Sequence, residues 1–176
     1  MKREVTITYL EMLDPVWLCA KECPKASFDI GECTHRQPDF FKYLYETIGE
    51  GWHWRERLRW SEQQWYEHAQ DKKIRTWVAH QEKTIAGYFE LKREDADTIE
   101  IGYFGLMPDF FGKGYGGYML SKAIRLAWEW GAKRVWVHTC TLDHNNALPN
   151  YLARGMKVFK KVTFEDDFEP DKTSVE

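Results

Sequence analysis

Polar and apolar residues alternate from Glu4 to Leu10 (EVTITYL), and the apolar ones are mostly β-branched, which predicts a first or edge strand. Residues 14–37 show no period and are punctuated by Pro15, Pro24 and Gly31, so they read as irregular. After Pro38 the run DFFKYLYETIG has helical spacing and stops at Gly49. A tryptophan-rich stretch follows, Gly51–Trp60, and then Ser61 and Gln64 stand at the two positions of a capping box that opens a second helix. From Arg75 onward the period falls to two. Thr76–His80, Ile85–Arg93 and Thr98–Met107 read as three strands of an antiparallel meander. Beyond a glycine-rich stretch, Leu120, Ala123, Ala127 and Trp130 recur at helical spacing until Gly131. Arg134–Cys140 is a strand, Asn145–Arg154 a short helix with Gly155 just past its end, and Met156–Phe164 a last strand. Pro149 suits only the first turn of that short helix. The segment 165–176 reads as a frayed, flexible tail.

This order, three strands followed by helix, strand, helix and strand, is α/β (α+β) with a mixed sheet. The unit spanning residues 98–140 is a crossover joining two parallel strands. A length of 176 residues suits one domain, 1–176. Hydrophobic residues make up 43%, enough for a core, and nine Trp, nine Tyr and ten Phe leave rings over for the walls of a cleft. The net charge of −3 is mixed along the chain, which argues against a nucleic-acid partner. No apolar run approaches the roughly 18 residues of a membrane span and no signal-like segment opens the chain, so a cytoplasmic protein without membrane contact is expected. Cys19, Cys23, Cys33 and Cys140 form no CxxC pair, and with His35 the first three fit no zinc-ligand spacing, so no metal is expected. His35, His53, His68 and His80 read as surface or packing residues.

The chemistry concentrates in GLMPDFFGKGYGGY, residues 105–118. A glycine-rich turn opening a helix offers unpaired N–H groups to a phosphate. A Walker A loop needs Ser or Thr after GK, and here Gly114 follows Lys113. Gly112, Gly114 and Gly117 match GxGxxG to the letter. The dinucleotide fold, however, needs a carboxylate about 20 residues on and a longer sheet than the remaining chain can build. The stretch LMPDFFGKGYGGYML instead resembles the acetyl-CoA motif of the GCN5-related N-acetyltransferases (GNAT), Gln/Arg-x-x-Gly-x-Gly/Ala, with Phe111–Gly116 in the six positions. A second block, DHNNALPNYLARGM, is similar to the same family's Ala, Tyr, Gly helix through Ala147, Tyr151 and Gly155. The resemblance runs from about Thr76 to Phe164. Phe111 departs from it where Gln or Arg is usual, and His144 departs where Asn is common.

The resemblance implies a GNAT-like fold: a mixed, mostly antiparallel twisted sheet flanked by helices, with the strands before and after the glycine loop splayed into a V. It implies acetyl-CoA as co-substrate and an acetyl-CoA-binding core at 75–164, with 1–74 on the acceptor side. Phe111, Gly112, Lys113, Gly114, Tyr115 and Gly116 would cradle the diphosphate. Phe104 and Leu106 would meet the pantetheine arm by backbone, and Asn145 or Asn146 would replace the contact of the usual Asn. Tyr151 is the expected acid for the leaving thiolate. Glu100 is the expected base, directly or through water, with Glu90 as the neighbouring-strand substitute. By strand alternation Glu100, Gly102 and Phe104 share one face. Phe40, Phe41, Tyr43, Tyr45, Trp52, Trp54 and Trp60 are candidate walls of the acceptor site, with Phe41, Trp52 and Trp54 foremost. The expected activity is transfer of acetyl to a primary amine, small molecule or peptide, by direct attack on the thioester. The alternative is a non-catalytic acyl-CoA-binding module on the same fold. Dimers are common among similar proteins.

Overall fold

The computed structural model describes residues 2–167. The alternating N-terminal segment forms β1 (Lys2–Met12). Next come β2 (Phe28–Glu32), the helices α1 (Pro38–Gly49) and α2 (Glu62–Gln70), and the meander β3 (Ile74–Gln81), β4 (Thr84–Arg93) and β5 (Thr98–Leu106). The chain ends in α3 (Tyr115–Glu129), β6 (Arg134–Cys140), α4 (Ala147–Ala153) and β7 (Lys157–Asp167). All seven strands join one sheet in the order β2-β3-β4-β5-β6-β1-β7, antiparallel throughout except for the parallel pair β5–β6.

Each helix covers the face that its apolar stripe dictates. Leu120, Ala123, Ile124 and Ala127 of α3 pack with Leu10, Met12, Ile99 and Ile101 on one side of the sheet. Phe41, Leu44, Tyr45 and Ile48 of α1 pack with Trp65 and Ala69 of α2 on the other, against Val78 and Tyr88. Burying one such side chain contributes about 1.5–3 kcal/mol, so the stripes, more than local propensity, hold the helices in place. Pro38 opens α1, and the expected capping box is present in α2, with Ser61 Oγ accepting from Gln64 N.

Three readings of the sequence change. The stretch 14–37 is not all irregular, since β2 pairs with β3 from Phe28↔Gln81 to Glu32↔Trp77. Only Phe28 of its five residues is buried, so the strand carries almost no periodic signal. β1 is not an edge, because it lies between β6 and β7 with long ladders to both. β7 runs to Asp167, into the expected tail, and the rest of that tail (168–176) lies outside the described residues.

The β3–β4 hairpin turns on Glu82 (φ 49°) and Lys83 (φ 69°), two left-handed residues without glycine. This turn needs positive φ at both centres, which costs a side-chain-bearing residue about 1 kcal/mol. Lys83→Gly is therefore expected to stabilise the fold by about 1 kcal/mol, raising Tm by roughly 2–4 °C in a chain of this size. An unchanged or lower melting temperature would contradict the strain.

Candidate active site

β5 and β6 are in register only over Thr98↔Arg134, Ile99↔Val135 and Glu100↔Trp136. Beyond that they part, because β4 holds β5 as far as Leu106 while β1 holds β6 as far as Cys140. The result is a V whose apex lies at Glu100 and Trp136. Met107 N–H donates to Ala86 O at 2.7 Å on the β4 side. Strand alternation therefore turns the N–H and C=O of Leu106 and Phe104 into the gap, where an amide-rich chain could pair with them as a strand does. A cleft of about 1000 Å³ runs through this gap.

At one end of the cleft the chain enters α3 through Gly112 (φ 70°) and Gly114 (φ 85°), a left-handed path that a side chain would strain. Gly114 caps α3 without any side-chain hydrogen bond, so the first N–H groups of the helix point into the cleft mouth with the positive end of its dipole. A Cβ on Gly117 would lie 2.5 Å from Arg154 Nη1 and 2.7 Å from Lys21 Cδ; one on Gly114 would lie 3.2 Å from Lys21 Nζ. Asn150 Nδ2 donates to Gly116 O at 3.2 Å, tying α4 to this turn. The cradle therefore fits a diphosphate: bare backbone, a helix start and nearby cations. The Lys113 side chain is turned away from it. Its ammonium donates to Asp109 O at 2.6 Å and sits 5.9 Å from the Phe110 ring, outside the cleft lining. The Tyr115 side chain is also turned inward, stacked on Phe28 at 4.3 Å and donating to Gln81, which leaves only its backbone to the cradle. Asn146 lines the cleft; Asn145 is exposed and does not.

Tyr151 comes off α4 to the cleft wall, 6% exposed, its ring edge-on to Phe104 at 6.4 Å. Burial pushes its phenol up from the usual tyrosine range, with the Asp143 charge adding to the effect, so it stays protonated at neutral pH. Phe104 shares this side, contrary to the alternation expected from Glu100. The β4–β5 register shifts between Glu90↔Tyr103 and Leu91↔Ile101, leaving Gly102 as an extra residue. Such a bulge reverses the facing of all that follows. Phe104 and Leu106 join Ile99 and Ile101 on the α3 side, while Tyr103 turns to the α1 side.

On the α1 side Glu100 Oε1 lies 3.4 Å from His138 Nδ1, across the V apex from β5 to β6. The hydrogen bond to Glu100 raises the His138 imidazole above its ordinary value; burial opposes this and the Glu100 charge adds to it. His138 also packs against Tyr9 and Trp136. Nothing local in the sequence marks His138, because its partner lies on another strand.

Glu90 is not available as a substitute base. Arg57 Nη1 donates to both its oxygens, at 2.6 and 3.0 Å, and His68 Nε2 lies 2.9 Å away. Burial alone would raise this carboxyl, but the Arg57 charge and the His68 hydrogen bond outweigh it and hold the pKa at about 2. Arg57 in turn lies over the Tyr103 ring at 4.3 Å, and Tyr103 donates to Glu56 Oε2 at 2.8 Å.

The expected acceptor walls divide. Trp52, Trp54 and Trp60 line the cleft, but none of Phe40, Phe41, Tyr43 and Tyr45 does. Phe41 is 3% exposed and packs edge-on to His68, and Tyr45 is fully buried, so these two rings of α1 belong to the core, while Tyr43 is exposed away from the cleft. Trp54 is wedged against Tyr45, Tyr88 and Tyr103. Trp52 meets the two departures from the motif: its ring lies 5.7 Å from Phe111 and 4.8 Å from His144, which are 4.9 Å from each other. Among the described residues no group of three or more His, Cys, Asp and Glu is placed to hold a metal ion.

Residues 36–156 match the model of the Acetyltransferase (GNAT) family. An uncharacterized N-acetyltransferase of Mycobacterium bovis is 29% identical over 98 residues, 56% of this chain and 62% of that protein, so the match spans less than two thirds of the relative's length. A GCN5-related N-acetyltransferase from Kribbella flavida superposes with TM-score 0.66 at 13% identity, over 96% of this chain and 61% of that one. A GNAT family acetyltransferase from Elizabethkingia anophelis with acetyl-CoA bound gives 0.52 at 20% identity, over 73% and 72%.

Proposed function

Because this chain belongs to the GNAT acetyltransferase family, we propose that it moves an acetyl group from acetyl-CoA to a primary amine by direct attack. The observation that carries the reading is the opened β5–β6 pair ending on the glycine cradle of α3. The cradle N–H groups would hold the diphosphate, and the turned-in edge of Phe104–Leu106 would align the pantetheine amides. Bound there, acetyl-CoA supplies a thioester carbonyl and a thiolate leaving group. Tyr151, protonated and beside Phe104, donates its phenolic proton to that sulfur.

On the far side of the V, the Glu100–His138 pair takes the proton released by the attacking amine. Above its raised pKa His138 is neutral and can accept it, and Glu100 then stabilises the imidazolium. The wall of Tyr103, Trp54 and Glu56 faces the acceptor with rings and a carboxylate, a lining suited to a cationic or partly apolar amine. Incubating the protein with acetyl-CoA and a panel of primary amines, and measuring free thiol, tests the reading. No thiol release with any amine, together with no CoA binding by calorimetry, overturns it.

A measurement on the pair itself needs no acceptor. Glu100→Gln is expected to lower the His138 pKa toward that of a free imidazole, read by NMR titration. The sign follows from linkage: a raised folded pKa adds stability below the unfolded pKa, and that contribution is lost as pH rises through the folded value. With an active acceptor in hand, the acid limb of the rate profile should shift down in pH with it. A His138 titration that does not move in Glu100→Gln refutes the pairing.

A further inference from the structure

We propose that Lys21 and Arg154 are the phosphate-binding side chains of the cofactor site, supplying at the diphosphate the positive charge that Phe111 does not. The proposal rests on the acetyl-CoA reading above and adds two residues far apart in sequence: Lys21, outside both motifs, and Arg154, inside the second block but not one of the positions that carry it.

Both side chains converge on one spot. The Cβ position of Gly117, in the first turn of α3, has Arg154 Nη1 and Lys21 Cδ beside it, and that of Gly114 has Lys21 Nζ. Both residues line the cleft. Neither has an ion-pair partner among the described residues, although the chain holds more acidic than basic groups, 28 against 25. Arg154 Nε is buried with no hydrogen-bond partner. A buried donor left unsatisfied is costly, and a guanidinium is shaped to grip a phosphate through two parallel bonds. Lys113, the cation inside the motif, is turned away.

The two cations are also held in place by their backbones. Lys21 N donates to Ser121 Oγ at 2.9 Å, and Ser121 Oγ donates to Gly117 O at 2.8 Å, so a buried hydroxyl fixes the strap that carries Lys21 to the first turns of α3. Cys19 N donates to Arg154 O at 3.0 Å, which joins the same strap to the end of α4. Gly155 (φ 96°) permits that approach, because a Cβ there would collide with Trp17 O. The Lys157 ammonium over the Trp17 ring at 3.5 Å holds the strap from the other side. A strap pinned this closely presents Lys21 to the cleft without the cost of ordering a loop.

Two neighbouring negative charges, as in a diphosphate, ask for more than backbone N–H groups, and a lysine and an arginine converging on the helix start provide it. Charge-assisted hydrogen bonds of this kind are worth about ten- to hundredfold in affinity each.

Calorimetric titration of the intact chain with CoA, 3′-dephospho-CoA and pantetheine tests the assignment. Lys21→Met and Arg154→Gln should each weaken CoA about ten- to hundredfold, weaken 3′-dephospho-CoA by the same factor, leave pantetheine unchanged and flatten the salt dependence of binding. Lys21→Arg should restore most of the loss. Equal weakening of CoA and pantetheine would mean that the two residues merely hold the strap, and overturns the proposal. Weakening of CoA alone would move them to the 3′-phosphate and overturns the diphosphate assignment. Wild-type affinity in Lys21→Met overturns it even if Arg154→Gln fails to fold. If the unaltered chain binds none of the three ligands, the acetyl-CoA reading falls as well, and that result is distinct from all the others.

Discussion

Tyr151→Phe is expected to lower kcat by about 10²- to 10³-fold while CoA affinity and fold stay as they are. The substitution keeps the ring that packs edge-on to Phe104 and removes only the hydroxyl, for which no hydrogen bond is seen among the described residues. Little stability is therefore at stake, and the lost rate reports the lost proton. Burial keeps the phenol protonated across the neutral range, so it is already an acid when the sulfur departs. Water can replace it, which is why the expected loss stops short of complete. Calorimetry for CoA and a melting curve, run beside the rate assay, separate the outcomes. Full activity in Tyr151→Phe would remove the acid from this residue and favour proton transfer from solvent. Absence of turnover in both proteins, with CoA still bound, would favour a binding module without catalysis.

The second large effect is on stability. Glu90→Gln is expected to cost about 3 kcal/mol, because it leaves the Arg57 guanidinium, itself largely buried, without its carboxylate. Arg57 is held over Tyr45, Trp60 and Tyr103, so it cannot swing out to water without unpacking that wall. Replacing both partners by apolar residues, Arg57→Met with Glu90→Leu, should cost less than the single change. The pair also sets a pH dependence. The folded carboxyl is held at about 2 and an unfolded glutamate titrates at 4.5, so the stability it contributes is present above pH 4.5 and lost as pH falls toward 2. Urea unfolding at several pH values between 3 and 7 should show an acid-side slope that is shallower in Glu90→Gln. Identical slopes in the two proteins would contradict the assignment.

What the sequence discloses about this site is its local part. The glycine cradle, the helix after it and Tyr151 each sit within a few residues of a recognisable signal, and backbone chemistry alone explains why glycine is needed there. The rest depends on distant residues meeting. Alternation predicts Phe104 on the face of Glu100, and a single extra residue at Gly102 reverses it; a glycine in a strand marks a bulge only once the partner strand is known. The rings of α1 read as a wall because the rule that aromatics line clefts does not distinguish them from rings that fill a core, as Phe41 and Tyr45 do, or from a ring left exposed, as Tyr43 is. The helical stripe of Phe41, Leu44, Tyr45 and Ile48 was the better guide. Glu90 and Glu100 look alike on neighbouring strands, and only their partners separate them: Arg57 and His68 lock the one in a buried ion pair, while the other meets His138 at the cleft. Lys21 lies in a stretch with no period at all, so composition gave no reason to place it beside Arg154.

The position of β1 bears on how the chain assembles. Its partners are the last two strands: Ile7 meets Cys140 and Lys2 meets Asp167. On the ribosome, β1 has neither of its partners until β6 emerges, a wait on the order of ten seconds at ordinary elongation rates. Contacts of such long sequence separation also form slowly in free refolding. β1 is the strand that holds β6 away from β5 past the apex, so one wall of the V is absent until the two ends of the fold have met. CoA affinity should therefore appear with the slowest refolding phase, after the β3–β4–β5 meander and its helices have formed. In that order of assembly the cleft comes last, and until it forms the chain would have little that CoA could stabilise.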